Sequence, residues 1–392
     1  MASDGSRIFA ALTTGDATII TARALGRAVI EARAGDRIAW SKAIAGQAGP
    51  LAANRTTVFA TLGGTAAAGL ALRGEPGAVV AALDAATGAD KWKLAIDASE
   101  WSAISAIATY DEGVVVGGTF SGTLRAGAKT VSSAGKADGF VARVGANGEI
   151  VWLIRVGGVA ADGVQGVATA GDRIAIAGTF AAGADLLGEP LKPYDDKTPR
   201  ADGFVAELDA KGTRKWSQTF GGKLDDSVVG VAIDGAGRVA VAASVREVFK
   251  IGAAEFIALG DGDGCVAWWS KDGAPGGAVQ LGGLELDSVR AIATVGNKIV
   301  VGGVFSGTIK IGSQKLTAGG GDDAYVAAFE AGTFVHVWPV TGDGREEVAA
   351  LVGVPGGFLA GVTHTARAKV DTVELAAPKD PLSGAALVVR PL

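Results

Sequence analysis

Cysteine, methionine and histidine are almost missing from this chain, with one Cys, one Met and two His in 392 residues. A lone Cys265 excludes an internal disulfide and a cysteine-based zinc site, and its apolar surroundings in sequence mark it as a buried, inert thiol. His336 and His364 lie in no His-x-x-x-His or Glu-x-x-His pattern and beside no Gly-x-Ser-x-Gly elbow. Histidine metal sites and a Ser–His–Asp triad are therefore not expected, and both residues read as ordinary and partly exposed. No run approaches eighteen uninterrupted apolar residues, so no transmembrane segment is expected. Lys and Arg are scattered singly and the net charge is −5, which excludes the basic footprint that nucleic acid requires. The start, Met1 to Arg7, lacks the basic head and apolar run of a secretory signal; this implies a cytosolic protein or one whose leader is lost. Glycosidase chemistry needs only two carboxylates, and no pair stands out as such.

What the chain has is small apolar residues and turn formers. Hydrophobic residues make up 48%, charged residues 20%, and Gly 61 positions, enough to bury a large core and to join many short strands by tight turns. One pattern recurs: Ala28 to Arg33 (AVIEAR), Ala78 to Leu83 (AVVAAL), Gly139 to Val144 (GFVARV), Gly203 to Leu208 (GFVAEL), Gly264 to Trp269 (GCVAWW), Ala324 to Phe329 (AYVAAF) and Ala386 to Arg390 (ALVVR). A fixed period of this length signals a propeller, solenoid or array.

Each period has one internal plan, seen from Asp287 to Pro339. Ser288 to Thr294 and Ile299 to Phe305 read as two short strands joined by the turn Val295-Gly296-Asn297-Lys298. A Gly-rich connection follows, then strands at Tyr325 to Phe329 and Thr333 to Trp338. No segment keeps apolar residues at a 3.6 spacing, so almost no helix is expected. The fold class expected is all-β: a seven-bladed β-propeller with mostly four antiparallel strands per blade and a three-stranded last blade. One domain covers 1–392, with blades near 7–45, 46–97, 98–158, 159–223, 224–283, 284–343 and 344–392. First strands such as Gly166 to Ala170 and Gly230 to Ile233 are small, as strands converging on an axis require. Trp40, Trp92, Trp152, Trp216 and Trp338 fall on fourth strands and are expected to fill the space between blades; in the fifth period Trp268 and Trp269 move to the third strand. Closure is expected by packing of the first blade on the last, leaving Leu387, Val388 and Val389 on an open edge able to accept another strand.

The unit running from Ile176-Ala177-Gly178-Thr179-Phe180 through Ala201-Asp202-Gly203-Phe204-Val205-Ala206-Glu207-Leu208 to Trp216, Phe220-Gly221-Gly222, Asp225-Asp226 and Gly230-Val231-Ala232-Ile233 resembles the bacterial SBBP-type β-propeller repeat. So does Phe305-Ser306-Gly307-Thr308 with Gly312 and Leu316 to Gly320. The resemblance is clear over roughly residues 100–345. It implies the propeller fold and a place in the cell envelope or outside the cell, and it implies no activity or catalytic residues. The turn Asp84-Ala85-Ala86-Thr87-Gly88 with Trp92 is similar to the tryptophan-docking repeat of quinoprotein propellers, read here as structural rather than as evidence for a quinone.

Two features could carry function. The connections from fourth to first strands are acidic: Glu100, Asp162, Asp225, Asp226, Asp287, Glu346 and Glu347. They share one face with Asp138, Asp202, Asp263, Asp322 and Asp323 of the connections between second and third strands. Such a rim could meet cations or a basic partner, although Asp beside Gly is also a common turn former. The second feature is the longest insertion, Gly188 to Arg200, which brings Tyr194, Arg200 and three prolines; Trp101 is a further irregular aromatic. The function expected is a non-catalytic binding or scaffold propeller that mediates protein–protein interaction or self-association, without a cofactor. The alternative is a carbohydrate-binding propeller; a glycosidase or quinoprotein enzyme ranks third.

Overall fold

Val-, Ile- and Ala-rich runs bounded by Gly and Asp fold as antiparallel meanders. The computed structural model describes residues 7–14, 17–24, 27–34, 37–44, 48–63, 77–195, 200–260, 262–378 and 384–392; for 7–28, 384–387 and 389 it describes the backbone alone. In the fourth repeat the strands Gly163–Ala170, Arg173–Phe180, Asp202–Leu208 and Arg214–Gly222 pair in that order. The same order holds for Ser227–Ile233, Val239–Val245, Asp263–Trp269 and Pro275–Gly283, and again for Ser288–Val295, Lys298–Phe305, Asp323–Glu330 and Thr333–Gly342. Among the described residues every element is a strand, and no helix is long and apolar enough to cross a membrane.

Burial explains the sequence pattern. Asp202–Leu208 is buried at every position and Arg173–Phe180 at nearly every one, so these strands lack the polar–apolar alternation of a one-sided sheet. Both of their faces are covered because neighbouring sheets pack against each other. Ala175, Ala177, Val205 and Phe220 of the fourth repeat join Val231, Val241, Phe249 and Trp269 of the fifth in one cluster. Each Phe so buried contributes about 1.5–3 kcal/mol.

First strands lie side by side. Arg7–Thr14 neighbours Ala48–Ala53, which neighbours Trp101–Tyr110; Gly163–Ala170, Ser227–Ile233, Ser288–Val295 and Glu346–Val354 follow, and the last lies against Arg7–Thr14. Their small residues permit this approach: a Cβ on Gly166 would stand 2.7 Å from the Val231 nitrogen. The architecture is an all-β propeller.

Tryptophans lock neighbouring sheets. Trp40, Trp92, Trp152 and Trp216 donate through Nε1 to the carbonyls of Ala85, Ala146, Ala210 and Lys271, at 3.0, 2.7, 3.0 and 3.2 Å. Each acceptor belongs to the turn before the next repeat's fourth strand. Gly212 in one such turn has φ +79°, and a Cβ there would stand 3.0 Å from Trp152 Cδ2; Gly88, Gly148 and Gly273 hold the same place beside Trp40, Trp92 and Trp216. The docking geometry that the sequence suggests once, at Asp84 to Trp92, thus occurs four times. Trp338 departs from the expected alignment. The position opposite Ala328 that matches Trp152 is filled by His336, and Trp338, two residues on, packs edge-on against Phe358 at 4.8 Å. Trp268 reaches from a third strand to cover Gly332.

The connections between second and third strands correct the four-strand expectation. They fold as hairpins, Asp185–Leu186 with Glu189–Pro190, Val248–Ile251 with Ala254–Ile257, Thr308–Ile311 with Gln314–Thr317, and Ala368–Val370 with Val373–Leu375. Each pairs with the fourth strand of the preceding repeat and covers an edge that would otherwise carry unpaired backbone groups. In the third repeat the extended strands Gly113–Ala126 and Lys129–Val144 reach back in the same way to Ile96–Ala98.

Candidate binding face

The expected open edge is only partly as read. Gly384–Pro391 pairs with Gly357–His364, but the Val388 side chain is buried with Val326, Phe358 and Leu375, so it is core and not a contact surface. The Leu387 and Val389 side chains lie outside the described residues. His364 is also buried, with Nδ1 2.8 Å from the Ala366 carbonyl, because it closes the end of a covered second strand; His336 is exposed and lies edge-on to Trp338.

The acidic residues separate into buried pairs and exposed singles. Asp138 with Asp162, Asp202 with Asp226, Asp263 with Asp287, and Asp323 with Glu346 stand close enough to act on one another electrostatically, and all eight are buried. They pin loops. Asp162 accepts from the Gly158 and Ala181 amides at 2.7 Å each, and Asp287 from Gly283 at 2.5 Å and Ser306 at 3.3 Å. Asp138, Asp263 and Asp323 each accept from the amide four residues back, that of Ala134, Leu259 or Gly319, at 2.8–2.9 Å. Burial pushes Asp162, Asp202 and Asp287 up to about 6, Asp226 to about 7 and Glu346 to about 8, with the partner's charge adding to the rise where the pair is tight. Glu100 and Asp225 are exposed and Glu347 is half-buried. Glu100 accepts from Ser121 Oγ at 2.5 Å, Asp225 stands 3.6 Å from Arg200, and Glu347 stands 3.7 Å from Arg290. Trp101 begins a first strand, half-buried and opposite Ser121.

Tyr194 and Arg200 come together, with residues the sequence did not single out. The inserted loop and the fourth strand Arg214–Gly222 border a cleft of about 870 Å³ whose lining includes Lys192, Tyr194, Arg200, Lys223 and Lys250 together with Asp195, Asp202 and Phe220. The Lys250 ammonium lies 5.5 Å from the Tyr194 ring centre, and the Tyr194 amide donates to Asp202 at 2.6 Å, fixing the loop. Residues 196–199 of the insertion lie outside the described residues. At the junction of the fifth and sixth repeats, Leu259, Leu284 and Leu286 are exposed at 47, 78 and 58%. The Gly262–Leu286 bridge holds their segments together. Lysines spaced tens of residues apart gave no sequence signal, whereas three exposed leucines between Gly and Asp residues were visible in principle. Among the described residues no group of three or more His, Cys, Asp and Glu gathers as metal ligands.

No known family model matches the chain, and no curated protein is detectably similar to it. Solved structures match by fold. An ulvan-cleaving polysaccharide lyase, solved with -[GlcA(1-4)Rha3S]- bound, is 10% identical with a TM-score of 0.53, covering 100% of this chain and 96% of that one. The quinohemoprotein alcohol dehydrogenase of Comamonas testosteroni is 13% identical with a TM-score of 0.48, covering 98% and 75%. BamB of Moraxella catarrhalis is 13% identical with a TM-score of 0.43, covering 92% and 96%. The likeness to the lyase corrects the expectation that the chain is not an enzyme. A lyase is built on this fold, so the missing histidine and cysteine motifs exclude particular chemistries and not catalysis as such.

Proposed function

We propose that the seven sequence repeats, spanning residues 7–392, are the blades of one ring of the SBBP type, and that the ring is a binding and scaffold module. The succession of neighbouring first strands, returning to Arg7–Thr14, supports the count. The ligand face is the cleft formed by the inserted loop and the strand Arg214–Gly222, and the partner is a protein segment carrying acidic and apolar side chains.

The observation that carries this reading is the break in symmetry at the fourth and fifth repeats. Lys192, Arg200, Lys223, Lys250 and Tyr194 line one cleft in a chain of net charge −5, outnumbering its carboxylates Asp195 and Asp202; Arg200 and Lys250 also pair at the surface with Asp225 and Glu255, and three leucines are exposed at the following junction. Contiguous exposed leucines are costly in water and mark contact surfaces, and the cations select an acidic partner. A second reading, an anionic carbohydrate, is favoured by Tyr194 flanked by Lys250, since a tyrosine face and ammonium groups suit a charged sugar. Binding of acidic peptides and of uronate oligosaccharides, compared in calorimetry, separates the two. Lys223→Glu with Lys250→Glu is expected to abolish either interaction, and Leu284→Asp only the peptide one. Binding unchanged in all variants would remove the cleft from consideration.

A further inference from the structure

One face of the propeller carries a cleft and a projection that complement each other. Both are built from connections of the same two kinds. The cleft takes Tyr194 and Arg200 from a connection between second and third strands, and Lys223 from one between a fourth strand and the next first strand. The projection takes Leu259 from the next connection of the first kind, and Leu284, Glu285 and Leu286 from the next of the second kind. The hairpin Val248–Ile251 with Ala254–Ile257 links the two: Lys250 and Gly252 line the cleft, and Ile257 leads into the projection. They stand about one such strand apart, roughly 13 Å.

The projection is apolar and acidic. Ile257, Leu259, Leu284 and Leu286 are 61, 47, 78 and 58% exposed. Gly260 lies against the Leu284 backbone and Gly262 is bridged to Leu286, so the two segments form one patch. Glu285, between the two leucines, is exposed and makes no ion pair among the described residues; close by, exposed Glu247 offsets exposed Arg246. In the cleft Lys192 and Lys223 likewise make no ion pair among the described residues, and Tyr194 and Phe220 add apolar lining.

From this complementarity we infer that the chain pairs with a second copy of itself, the Leu284-Glu285-Leu286 projection of each copy seated in the lysine-lined cleft of the other. Such pairing rests on the reading of the cleft as a site for acidic and apolar segments, and names the partner. A two-fold axis in the plane of this face, passing between cleft and projection, makes both contacts at once, so the assembly closes at two. Burial of the exposed leucines drives it, and Glu285 against Lys192 and Lys223 sets the register.

Sedimentation at rising protein concentration tests this. The natural chain is expected to pass from monomer to dimer, and salt and polyglutamate, which competes for the cleft, should both reverse it. Glu285→Lys, and separately Lys223→Glu with Lys250→Glu, should each weaken dimerisation by at least about 10-fold. Mixed in equal amounts the two variants should dimerise again, because one contact is then natural and the other has both charges reversed. All three side chains are exposed, so the variants should fold. A natural chain that stays monomeric, a dimer that persists in either variant, or a mixture that stays monomeric overturns the inference. Polyglutamate binding by a chain that stays monomeric would leave the acidic-partner reading standing; a monomer that binds none would end both.

Discussion

Replacing Asp226 with Asn removes one of two carboxylates buried side by side beneath the cleft. Asp226 is 2% exposed; its Oδ1 accepts from the Arg246 amide at 3.2 Å, while its Oδ2 and Asp202 Oδ1 both lack partners among the described residues. Burial first, with the Asp202 charge adding to it, raises the Asp226 carboxyl from an ordinary 3.8 to about 7. Between those values the folded chain holds a proton that the unfolded chain releases. Stability is therefore fully present below about pH 4 and falls as pH rises toward 7. The gap corresponds to at most about 4 kcal/mol. Asparagine carries no charge, keeps the acceptor for Arg246, and offers an N–H toward Asp202. The variant is expected to exceed the natural chain by about 2–4 kcal/mol near pH 8, and the two should converge near pH 4. Urea unfolding in EDTA across this range measures it. Equal midpoints near pH 8, or a less stable variant there, would refute the claim that this pair is charged at a cost.

Other outcomes follow from the packing. Trp152→Phe should lose about 1–2 kcal/mol, since it removes the bond to Ala210 while keeping most of the apolar contact, and thermal denaturation reads it. Cys265, buried and with its thiol pushed well up by burial, should resist thiol reagents until the chain unfolds; modification of the native protein at the free-thiol rate would contradict its burial. Leu284→Asp should leave the unfolding midpoint within about 0.5 kcal/mol, because that side chain is 78% exposed; a large loss would show that it is core.

The strands were legible because their period is local. Third strands such as Gly203 to Leu208 repeat nearly verbatim, and Gly or Asp marks each turn. The covering hairpins were missed although Thr308 to Ile311 and Gln314 to Thr317 alternate like strands around Gly312. They are short, and their partner is the preceding sheet, which no local pattern reveals. The same reason hid the buried carboxylate pairs. Asp263 and Asp287 stand 24 positions apart, so only the sheet order brings them together. Tyr194 and Arg200 were readable because they break the repeat, whereas Lys223 and Lys250 look like any other surface lysine. Val388 was misjudged because an edge strand still turns alternate side chains inward.

The central claim, that the face around Tyr194 binds an acidic partner, is tested most directly by titrating a polyglutamate peptide into the natural chain and into Lys223→Glu with Lys250→Glu. Saturable binding that weakens with salt and vanishes in the double variant is the expected result. No binding by the natural chain, or equal binding by both, would contradict it.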